Sequence, residues 1–71
     1  MTSLSTLRLR ASQTAAAALV AQQNFEKIEQ AVQFGGATYA QMDAASTALY
    51  HADAAAAEAD EALARAIASS K

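Results

Sequence analysis

Seventy-one residues with a formal net charge of −2 and no cysteine leave room for one small unit, exclude a disulfide framework or thiolate metal site, and argue against nucleic acid, whose phosphates call for several cations on one face. Arg8 and Arg10 are the only close basic pair. The longest strongly apolar run, Ala15 to Ala21, is too short to insert across a membrane, and a Met-Thr-Ser opening lacks the basic-then-apolar order of a secretory signal, so the expectation is a cytoplasmic protein, or one exported by a route that needs no cleaved signal.

Alanine supplies 22 residues and proline none. Because alanine is the strongest helix former, the adjacent Gly35 and Gly36 are the one strong interruption. Helix 1 is predicted from about Leu4 to Phe34, with Thr2 or Ser3 as its N-cap and Gly35 in the left-handed position past its end. A turn over residues 35–37 follows. Helix 2 opens on Thr38-Tyr39-Ala40-Gln41, which fits a capping box: a Thr hydroxyl and a Gln side chain three residues on satisfy each other's exposed backbone donors. It is predicted to reach about Ala68, so each helix would be roughly 45 Å long at 1.5 Å per residue.

Within both helices an apolar position recurs at alternating steps of three and four. Positions 4, 7, 11, 14, 18, 21, 25, 28 and 32 read Leu, Leu, Ala, Thr, Ala, Ala, Phe, Ile, Val; positions 42, 45, 49, 52, 56, 59, 63 and 66 read Met, Ala, Leu, Ala, Ala, Ala, Leu, Ala. Two such stripes joined by a short turn predict an all-α fold, an antiparallel two-helix hairpin with the seam of an alanine-rich coiled coil. Folding the chain about the glycines sets residue i near residue 71 minus i. Phe25 then meets Ala45, Ala21 meets Leu49, Ile28 meets Met42, Leu7 meets Leu63 and Leu4 meets Ile67, so large faces small in the middle layers. The same register sets Arg8 and Arg10 beside Glu58, Asp60 and Glu61, and Lys27 beside Asp43, which predicts cross-helix ion pairs opposing a slipped alignment.

That core is thin, because alanine removes little area from water and only about ten larger side chains carry the burial. A partner or a second copy is expected to cover the remaining apolar surface. The candidate protein-binding residues are Leu9, Ala16, Leu19 and Val20, on the face of helix 1 directed away from the seam. Tyr39 and Tyr50 join them, since tyrosine suits interfaces by burying an apolar body while keeping a polar tip. Catalysis finds no support, and the expected protein is not an enzyme. His51 is the only histidine, and without a second histidine or a cysteine it completes neither a zinc site nor a nucleophile–base pair. No cofactor or metal is expected, and the acids Asp53, Glu58, Asp60 and Glu61 read as a solvated, salt-bridged face.

Leu4 and Leu7 beginning a long helix after Met1-Thr2, Gly35-Gly36 at the turn, Tyr39 and Gln41 just past it, and an Ala48-Leu49 step resemble the small E-type co-chaperones of the type III secretion needle protein. The similarity runs over nearly the whole chain. It implies a non-enzymatic helical hairpin whose partners are a helical-repeat chaperone and the needle subunit, which the pair keeps monomeric in the cytoplasm. Two alternatives stay open. Phe34-Gly35-Gly36 stands where WxG-type substrates of type VII secretion carry Trp-x-Gly, and Tyr39 with Asp43 matches a Tyr-x-x-x-Asp spacing, a resemblance that implies a secreted hairpin. The second alternative is a structural hairpin of a virion or filament, packed against copies of itself, for which a homodimer is the smallest unit.

Overall fold

The computed structural model describes residues 3 to 70. Among them, helix α1 (Leu4–Gln33) and helix α2 (Tyr39–Ser69) pack against each other as a hairpin with principal extents of 54 × 15 × 14 Å. The radius of gyration is 15.9 Å, against about 11 Å for a compact chain of this length. So elongated a shape leaves most residues near water.

Local chemistry explains where each helix begins and ends. Ser3 is the N-cap of α1, its side chain accepting from the Thr6 backbone N–H at 3.2 Å; Thr2, the other expected cap, lies outside the described residues. Phe34 closes the helix, and Gly35 follows at φ +79°. The Gly36 N–H donates to the Ala31 carbonyl at 2.7 Å and the Gly35 N–H to the Val32 carbonyl at 3.3 Å. Those are the two bonds of a Schellman ending, which satisfies the last free carbonyls and turns the chain back. At the start of α2 both halves of the capping box form: the Gln41 N–H donates to Thr38 Oγ1 at 3.1 Å and the Thr38 N–H to Gln41 Oε1 at 2.8 Å.

The two turn glycines play unequal parts. A Cβ at Gly35 meets no atom but requires a left-handed backbone, whereas a Cβ at Gly36 would rest 3.5 Å from the Ala31 Cβ, an ordinary contact. Gly35→Ala is therefore expected to cost about 1–2 kcal/mol, and Gly36→Ala to stay within about 0.5 kcal/mol of the parent. Equal losses in denaturant melts of the two variants would contradict the division.

The seam follows the three-four stripe. Every one of the 17 stripe positions is buried or half-buried, and elsewhere among the described residues only Ala31, Ala37 and Ala62 escape full exposure. The deepest are Leu7, Ala11, Ala45 and Ala59, and among the described residues no side chain is completely enclosed. Thr14 is tolerated at a seam position because its hydroxyl donates to the Arg10 and Ala11 carbonyls at 2.9 and 3.1 Å, which removes its need for a partner across the seam. Arg10 and Thr14 line one groove with Ala55, Glu58, Ala59 and Ala62. This stretch of α1 thus lies level with residues 55–62 of α2, as an antiparallel pairing of i near 71 minus i sets it.

Two details differ from the sequence reading. Among the described residues no cross-helix ion pair forms: Glu61 pairs instead with Arg65, one turn along its own helix at 2.9 Å, and neither Arg8, Arg10 nor Lys27 has an acidic partner within 4 Å. The physical reason is solvation, because an exposed ion pair returns at most about 1 kcal/mol and must order two long side chains. Near the open end, Ile67 is 39% exposed, while Ala66 holds the inward position beside it. The layer opposite Leu4 is accordingly thinner than expected.

Candidate interaction surface

A hairpin whose seam consumes one stripe of each helix shows its remaining apolar residues to water. Leu9, Leu19 and Val20 on α1 are 58%, 56% and 64% exposed, and Tyr39 and Tyr50 on α2 are 73% and 71% exposed; Ala16 is exposed as well. The helical repeat decides which of these are neighbours. Ala16, Leu19 and Val20 stand at i, i+3 and i+4 and form one continuous patch. Leu9 lies seven residues before Ala16, about 10 Å along the axis, with exposed Ser12 and Gln13 between them. The expected patch is therefore a compact trio with one outlier.

The tyrosines are separated in the same way. Tyr50 lies level with Ala21, beside the trio's position along the hairpin. Tyr39 sits at the turn, about 16 Å further along at 1.5 Å per residue. Tyr50 packs edge-on against the ring of His51, centroids 5.7 Å apart at 73°, and both side chains remain exposed.

Phe34 is the exposed aromatic that the stripe reading did not single out. At 86% it is the most exposed large apolar side chain among the described residues, and it stands beside Tyr39 at the glycine turn. Its signal is present in the sequence: it falls two residues past Val32, off the stripe, immediately before the glycine that ends the helix. No charged residue occurs from Gln30 to Met42, so the whole turn end of the hairpin is neutral.

The groove lined by Arg10, Thr14, Ala55, Glu58, Ala59 and Ala62 runs along one side of the seam. It is shallow and walled mainly by methyl groups, with no buried polar side chain left unpaired among the described residues. Nor does any group of three His, Asp or Glu side chains converge there on a common point. Such a surface has the shape to accept the ridge of another helix. No helix of the described residues is long and apolar enough to cross a membrane. The chain matches no protein-family model, no curated protein and no solved structure.

Proposed function

We propose that this hairpin is a non-enzymatic interaction module that completes its core on a helical protein partner, docking through the Ala16, Leu19 and Val20 patch of α1. The observation that carries the reading is the contrast between seam and surface. Among the described residues Leu7 is the only large side chain buried, while three large aliphatic residues and three aromatic ones lie more than half exposed. Apolar residues clustered outside an underfilled core favour association, because covering them removes area from water at little ordering cost when the surface belongs to a rigid helix.

The resemblance to E-type needle co-chaperones gives the partner a chemistry: a helical-repeat chaperone, with the polymerising face of a small needle subunit masked in the same complex. Shielding by burial is then the mechanism, with no covalent step. A tagged chain expressed in its native host and isolated at moderate salt is expected to bring down such a helical-repeat protein together with a small helical subunit. Recovery from the culture supernatant without either protein would overturn this reading in favour of a secreted hairpin, and recovery only as large homopolymers would overturn it in favour of a structural one.

A further inference from the structure

On the side of α1 turned away from the groove, a second three-four stripe runs through Arg8, Ser12, Ala15, Leu19, Gln22 and Glu26, all of them exposed. Arg8 and Glu26 are eighteen residues apart, five helical turns, so they occupy the same edge of the helix about 27 Å from each other. The fifteen residues from Ala11 to Phe25 carry no charge. The stripe is thus bounded by one cation and one anion, with the apolar pair Ala15 and Leu19 centred between them. Among the described residues neither Arg8 nor Glu26 forms an ion pair; Glu26 accepts from the Gln22 amide at 3.4 Å.

We propose that this edge of α1 pairs with the same edge of a second copy, antiparallel, about a two-fold axis level with residue 17. Turning the stripe end over end about that point sets Arg8 against Glu26, Ser12 against Gln22, and Ala15 against Leu19 of the other copy. Opposite charges meet, polar meets polar, and each leucine finds an alanine. A two-fold axis makes every contact occur twice, which is what self-complementarity of an isologous interface requires. A parallel arrangement would instead stack Arg8 on Arg8, Leu19 on Leu19 and Glu26 on Glu26, so charge and volume both select the antiparallel one. Tyr50 belongs to the same side of the hairpin: the groove side of α2 is defined by Ala55, Glu58 and Ala62, and Tyr50 falls across the seam from them in the helical rotation. Its exposed ring extends the contact beyond a single helix pair, toward a four-helix assembly of two hairpins.

This pairing goes beyond docking of a heterologous partner and shares only Leu19 with that patch. Arg8 and Glu26 lie outside the patch, so reversing them tests the pair alone. Sedimentation equilibrium of the full chain at low salt is expected to show a reversible dimer. Arg8→Glu and Glu26→Arg should each weaken it on the order of tenfold, since each sets two like charges together, and the double variant Arg8→Glu/Glu26→Arg should return to within about twofold of the parent. Both residues are solvated, so circular dichroism should be unchanged throughout. A monomer at every concentration, a dimer indifferent to the single reversals, or a double variant no tighter than the singles would each overturn the proposal. Because the chain has no cysteine, the register has an independent reading: a mixture of Ala15→Cys and Leu19→Cys chains should oxidise to the mixed disulfide in preference to either symmetric one, and preference for a symmetric product would also overturn it.

Discussion

Leu19→Asp is expected to leave the hairpin folded and to abolish capture of a partner. Leu19 is 56% exposed in the free chain, so a carboxylate there stays in water and the helix keeps its seam. In a complex the same carboxylate would be desolvated without a counter-charge. The expected loss is about 4 kcal/mol of affinity, on the order of a thousandfold. Two measurements together decide it: circular dichroism of the variant and co-purification of its partner. Lost helicity would make Leu19 a support of the fold, and intact helicity with undiminished capture would move the interface away from this patch, to Tyr39, Tyr50 or the neutral turn. Self-association through the neighbouring edge should weaken in the same variant. That is why the charge reversals at Arg8 and Glu26, which leave Leu19 in place, are the cleaner test of the dimer.

The largest expected effect on folding comes from the middle of the seam. Ala45 is 4% exposed, the most buried of the core residues, and the register sets it level with half-buried Phe25. Ala45→Leu would push an isobutyl group into the layer that the register assigns to the Phe25 ring. Overpacking should cost roughly 1–3 kcal/mol. In a domain of this size each kcal/mol moves the melting temperature by about 4–8 °C, so the loss is easily read in a thermal melt. A variant as stable as the parent would mean that Phe25 and Ala45 do not share a layer.

These two substitutions also separate what near neighbours in the chain specify from what the closed seam decides. Ala45 was legible because a seam leaves a period. The stripe at steps of three and four admits one rotation for each helix, and a chain with no proline and one glycine pair admits one turn. Thr38 with Gln41, and Gly35 after Phe34, were legible for a similar reason, since capping depends on residues within a few positions of each other. Periodicity and local hydrogen bonding survive in a one-dimensional string because helices are built from near neighbours.

What the string did not hold was the outcome of competition between distant groups and water. The register brought Arg8 and Arg10 near Glu58, Asp60 and Glu61, yet among the described residues only the pair within α2, Glu61 with Arg65, closes, because proximity along an exposed seam does not repay the ordering of long charged side chains. How far Leu9, Leu19, Val20 and Phe34 stand out of the closed seam, more than half exposed in each case, is likewise an outcome of packing. Near neighbours along the chain specify two helices, their caps, their turn and the stripe they share; which charges stay free and how far the apolar residues stand uncovered follow from packing, because each depends on the area left exposed once the seam has closed.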